Sequence, residues 1–189
     1  MKRDRASGFT LVELLVAVAI LGIVGSVLSG VIMLGFGSYT DTSTRLNESN
    51  DRQIVADYFT RDVQSARTLA LSGGTCGTAS GTTVLRLTWS ESDGSAPPVV
   101  TAREITYRLL AGTAPANGSL SRVVCANGSV VATAVVAPWV SPGAAAASAT
   151  CLTAALATDA TCPATSVGAR MTVTESGGAF VIDGVRRTE

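Results

Sequence analysis

The 29 residues from Phe9 to Gly37 carry a single charge, Glu13. The stretch after it, Leu14 to Phe36, is 23 residues long. As a helix it would span ~35 Å, enough to cross a hydrocarbon core of about 30 Å. Lys2, Arg3 and Arg5 against Asp4 make the preceding flank basic, while Ser38 to Thr44 holds Asp41 and no base. By the positive-inside rule the short N-terminus stays in the cytoplasm and everything after residue 37 lies outside. A cleaved secretory signal fits less well, because its apolar region is about 7–15 residues long. The only Ala-x-Ala in the first forty residues, Ala17-Val18-Ala19, is followed by more apolar chain. A single-span anchor fits the length but not Glu13, which costs about 2.5–3.5 kcal/mol on insertion scales.

Composition narrows the function. Fourteen basic residues balance fourteen acidic ones, so a nucleic-acid partner is not expected. Histidine is absent, which removes Ser-His-Asp and Cys-His catalysis and most zinc sites. The Ser and Thr residues have no base, and Ser72-Gly73-Gly74-Thr75 has no strand before it and no lysine after it, so it is no phosphate loop. The sequence therefore indicates neither an enzyme nor a cofactor or metal.

Four cysteines, Cys76, Cys125, Cys151 and Cys162, all follow the apolar run. An even number outside the cytoplasm suggests two disulfides. Three pairings are possible. Cys76–Cys125 with Cys151–Cys162 is favoured, since the second pair brackets one Ala/Thr-rich loop. Closing the two loops would stabilise by ~4 and ~3 kcal/mol on the chain-entropy model.

Beyond residue 37 the pattern is helical. No proline or glycine interrupts Ser38 to Ser72. Val55, Phe59, Val63 and Ala66 recur at helical spacing, widened by Ile54 and Tyr58, with Asp51, Arg52, Arg61 and Asp62 assigned to the opposite face. The helix is expected to end near Leu71, before Ser72-Gly73-Gly74. Strands then read over 84–89, 103–110, 120–126, 129–136, 169–174 and 179–182. Asn127-Gly128 is a two-residue hairpin signal, and Glu175-Ser176-Gly177-Gly178 marks a second hairpin. The predicted class is α+β, a long N-terminal helix whose second half lies on an antiparallel sheet. Pro138 to Pro163, rich in Ala, Ser and Thr, reads as a surface loop clipped by Cys151–Cys162. The sequons at Asn117 and Asn127 read as turns.

Gly8-Phe9-Thr10-Leu11-Val12-Glu13, behind a short basic leader, resembles the processing site of type IV prepilins and type II secretion pseudopilins. The resemblance is close over residues 1–37 and extends in outline to the α+β pilin fold. It implies three regions: a cleaved leader (1–8), a transmembrane and filament-core helix (9–37), and an extracytoplasmic globular domain (38–189). It implies cleavage after Gly8 by a prepilin peptidase, N-methylation of the new Phe9 amine, and pairing of that amine with Glu13 of a neighbouring subunit. A glycine at the cut lets the backbone enter a narrow protease cleft. Gly22, Ser26 and Gly30, at successive fourth positions, form a small-residue stripe suited to close helix packing. The implied partners are the peptidase, a major pilin with other minor pilins, and an assembly platform protein with its ATPase. The implied location is the bacterial inner membrane and then an extracytoplasmic filament. Ile105-x-Tyr107-x-Leu109 followed by Leu120-x-Arg122 resembles the PilW-like and J-type minor subunits. The alternative reading is a membrane-anchored adhesin or DNA-uptake module.

Overall fold

The computed structural model describes residues 10–74, 76, 80–113 and 116–187. One helix, α1 (Leu11–Ser65), precedes nine strands. These are β1 (Thr68–Ala70), β2 (Thr82–Ser92), β3 (Val100–Leu110), β4 (Gly118–Ala126), β5 (Ser129–Val140), β6 (Ala147–Leu152), β7 (Thr158–Asp159), β8 (Gly168–Glu175) and β9 (Gly178–Val185). The architecture is α+β, as the periodicities predict. Two compact units divide at Leu46/Asn47. The apolar content changes at residue 37, but the first side chain of the second unit to be buried is that of Glu48.

Within the second unit, Val55, Phe59, Val63 and Ala66 are buried in one core with Leu85, Leu87, Ile105, Tyr107, Leu109 and Met171. The stripe works because residues three and four apart share a helix face and strand residues two apart share a sheet face. The helix ends at Ser65, earlier than the expected Leu71, and Thr68–Ala70 is a short strand. Ala66 remains buried and extends the apolar period, but the Arg67 N–H bonds to the Thr88 carbonyl at 2.9 Å. Pairing with β2 has replaced the helical bond there. The polar face is also corrected: Asp51 and Asp62, assigned to the solvated side, are buried.

The sheet is antiparallel throughout, in the order β1-β2-β3-β4-β5-β8-β6-β7, with β9 on β8. Asn127 and Gly128 have φ of 50° and 81°. Positive φ at both central residues is the type I′ geometry that closes a tight hairpin, here β4–β5. The segment 138–163, read as a surface loop, contains a strand: Ala147–Leu152 pairs with β8 over six positions. Ala147, Cys151 and Leu152 are buried. Alanine supplies little hydropathy contrast, so a buried Ala-rich strand resembles a loop.

Cys76 is bonded to Cys125 and Cys151 to Cys162, with Cα separations of 6.1 and 5.0 Å. Cys125 and Val123 point away from the helix, since Arg122 and Val124 alternate with them. Together with Cys76 they form a second buried cluster on the far face of the sheet. Cys151 sits in β6, so its disulfide ties a core strand to the segment after β7.

Candidate assembly site

The N-terminal unit presents an unburied apolar helix. Leu11–Met33 is 23 residues long with mean hydropathy 2.6, long and apolar enough to cross a membrane. All of its large apolar side chains are exposed. A Cβ placed on Gly22, Gly25 or Gly30 would meet nothing within 4 Å. The small-residue stripe with Ser26 is therefore open to a neighbouring helix. Ser26 Oγ donates to the Ile23 carbonyl at 2.8 Å and Ser29 Oγ to the Gly25 carbonyl at 2.9 Å. Both hydroxyls are satisfied within the helix, as an apolar medium requires.

The start of α1 is a capping box. The N–H and Oγ1 of Thr10 each donate to Glu13 Oε2 at 3.0 Å. The Glu13 N–H donates back to Thr10 Oγ1 at 3.3 Å. Such a box satisfies donors that a helix start leaves open. It also holds the carboxylate at the N-terminal end of the helix. Gly8 and Phe9 lie outside the described residues. In the sequence the charge of Glu13 overshadows its capping role. The signal was Thr10-x-x-Glu13, a Thr three residues before a Glu at the head of an apolar run.

In the second unit, two polar clusters tie α1 to the sheet. In the first, Arg122 of β4 makes a two-pronged bond to Asp62, Nε to Oδ2 at 2.6 Å and Nη2 to Oδ1 at 2.7 Å. The Tyr107 hydroxyl donates to Asp62 Oδ2 at 2.7 Å. The Arg122 guanidinium also lies 4.8 Å from the Tyr58 ring centre. Burial, then the adjacent Asp62 charge, pushes the Tyr107 hydroxyl well above its ordinary pKa, so it remains a donor.

The second cluster is Glu48, Asp51, Arg52 and Glu175. Glu48 Oε1 accepts from Ser176 Oγ at 2.5 Å and from the Gly177 N–H at 2.9 Å. A Cβ on Gly177 would sit 2.1 Å from Glu48 Oε2, so a side chain there would displace the Glu48 carboxylate. Arg52 Nε reaches Glu175 Oε2 at 3.3 Å. Asp51 Oδ2 and Glu175 Oε1 are buried without a hydrogen-bond partner among the described residues. Desolvation, then the Glu48 charge, raises the Asp51 pKa. Desolvation also raises Glu175, with Arg52 opposing it and Asp51 and Glu48 adding to it.

A raised carboxyl pKa means the folded state binds protons that the unfolded state has released. Stability then falls as pH rises from the ordinary carboxylate range through the raised values. The melting temperature of Asp51→Asn in detergent is expected to exceed that of the wild type at pH 7.5 and to match it at pH 4. A variant less stable than wild type at pH 7.5 would refute the assignment.

Among the described residues, no three His, Cys, Asp or Glu side chains gather in a way that could hold a metal ion. Residues 3–29 match the family model described as the prokaryotic N-terminal methylation motif. No curated protein and no solved structure matches the chain. The matched segment includes Gly8, Phe9, Glu13, Gly22 and Ser26 and stops before Gly30. The chain thus carries, ahead of its α+β domain, the N-terminal methylation signature of type IV pilins and pseudopilins, which implies processing by a prepilin peptidase and assembly into pilus-like filaments.

Proposed function

We propose that the protein is a structural minor pilin or pseudopilin, and not an enzyme. The single observation that carries this is the methylation motif running directly into a long apolar helix whose large side chains are exposed. In this reading prepilin peptidase cuts after Gly8 and the Phe9 amine is methylated. The subunit waits in the inner membrane as a single-pass protein with its N-terminus inside. A platform protein and its ATPase then draw it into a filament with a major pilin and other minor pilins. A type IV pilus and a type II secretion pseudopilus both fit.

Glu13 has two successive partners in this scheme. Before assembly its carboxylate caps its own helix. In the filament the methylated amine of a neighbouring Phe9 takes it, because a positive charge is a stronger partner than the neutral Thr10 groups. The open Gly22, Ser26 and Gly30 face then packs against adjacent helices. The Tyr107–Arg122 pair, adjacent across β3 and β4, supports a place among the PilW-like and J-type minor subunits.

The test is the N-terminus of protein recovered from its own membranes. Mass spectrometry should find a chain starting at methylated Phe9, and Gly8→Leu should abolish the shortened form. An intact Met1 in the wild type would reject the processing scheme and leave a membrane-tethered binding module. A shortened product from Gly8→Leu would place the cut elsewhere.

A further inference from the structure

The two ends of the sheet order are short, three residues in β1 and two in β7. Short edges limit unwanted pairing between chains. β5 departs from this rule. It spans Ser129–Val140, pairs along its length with β4, and meets β8 only at Val140–Glu175. Among the described residues its other side is unpaired from Ser129 to Trp139. No residue of the strand is charged. Val130, Val131, Val135 and Trp139 are exposed. β9, paired on one side only, holds the charge of Asp183, and β2, open beyond its three-residue pairing with β1, holds Arg86 and Glu91. A long, neutral, apolar edge is a template for another strand.

The sequence of the edge says which strand. Val130-Val131-Ala132-Thr133-Ala134-Val135-Val136 reads the same in both directions about Thr133. Two copies laid antiparallel about a twofold axis at Thr133 place Thr133 opposite Thr133. Ala132 then faces Ala134, Val131 faces Val135, and Val130 faces Val136. An isologous contact needs this property, because each residue must suit the one its own copy presents. Thr–Thr and paired β-branched residues are favourable cross-strand neighbours. Neutrality fits as well, since a charge at Thr133 would face its own copy.

The pairing with β4 slips at Val131, at Val136 and again between Ala137 and Val140, so the regular edge is Ala132–Val135 and the Thr133–Thr133 and Ala132–Ala134 pairs carry the contact. That run contains the proposed axis. Pro138 ends the usable edge, because it has no N–H to offer.

We propose that β5 is a self-association edge, through which two copies of this chain join antiparallel across Thr133 into one continuous sheet. The two Thr133 Cα atoms would then lie about 4.5–5.5 Å apart, within the range that a disulfide spans. The described cysteines are all in disulfides, so an added one reports cleanly.

The experiment uses full-length Thr133→Cys in native membranes under a mild oxidant, with Val181→Cys on β9 as an exposed control. Thr133→Cys should convert mostly to a reductant-sensitive homodimer, at least tenfold above the control. Adding Ala132→Lys, which faces Ala134 of the partner, should reduce that yield about tenfold while the melting temperature stays unchanged. A Thr133→Cys protein that melts like wild type but stays monomeric overturns the proposal. So does a dimer yield equal to that of Val181→Cys, which would mean random collision. Cross-linking to a different protein would assign the edge to another subunit and also overturn it.

Discussion

Glu13→Ala is expected to leave the chain processed and membrane-bound but to reduce its recovery in sheared filaments about a hundredfold or more. The estimate follows from the cost of stranding one partner of a buried ion pair, about 3–5 kcal/mol, with 1.4 kcal/mol per tenfold. Glu13 has a second role in the structure, because its carboxylate caps α1 through Thr10. The two roles separate by substitution. Glu13→Gln keeps an oxygen for the Thr10 donors but carries no charge for the Phe9 amine. Thr10→Ala keeps the charge and loses the side-chain half of the cap, worth about 1 kcal/mol. If neutralising the amine drives assembly, Glu13→Gln fails nearly as badly as Glu13→Ala and Thr10→Ala assembles within tenfold of wild type. The reverse ranking would make Glu13 a helix-start residue and remove it from the subunit contact. Quantitative immunoblots of filament and membrane fractions decide between them.

What the sequence revealed, and what it hid, followed from how each signal is carried. The stripe Val55, Phe59, Val63 and Ala66 was legible because large side chains alternate with polar ones at a helical period, and the structure buries all four. The N-terminal motif was legible because a carboxylate inside an apolar run has few physical explanations. The end of α1 was hidden, since Ala66 continued the period while the backbone left the helix for β2. β6 was hidden because Ala147 and Ala149 alternate with Ser148 and Thr150, residues too alike in size and hydropathy to show an inner face. The buried acids were hidden for a different reason. Periodicity places apolar residues and assigns the remainder to solvent by default. Yet Tyr107 and Arg122 occupy inward positions, and they are direct cross-strand partners. An inward arginine needs an anion from the element covering it. Asp62, three residues after Phe59 on the covering helix, was the available one.

That dependence gives the largest stability effect expected in the globular unit. Asp62→Ala would leave the Arg122 guanidinium and the buried Tyr107 hydroxyl without the carboxylate that receives all three of their bonds. Breaking a buried pair by removing one partner costs about 3–5 kcal/mol. For a unit of this size that corresponds to a fall in melting temperature of about 10 °C or more. Tyr107→Phe removes a single donor and leaves the Asp62–Arg122 pair intact, so it should cost about 1 kcal/mol. Arg122→Met in the Asp62→Ala background removes the stranded charge, and its flexible side chain fits the space between Tyr58 and the sheet. The double variant should therefore melt above Asp62→Ala, a non-additive recovery that marks direct coupling. Thermal denaturation of the oxidised protein in detergent measures these three and the single Arg122→Met variant. If the two single losses simply add, Asp62 and Arg122 act independently, and this pair does not lock the helix to the sheet.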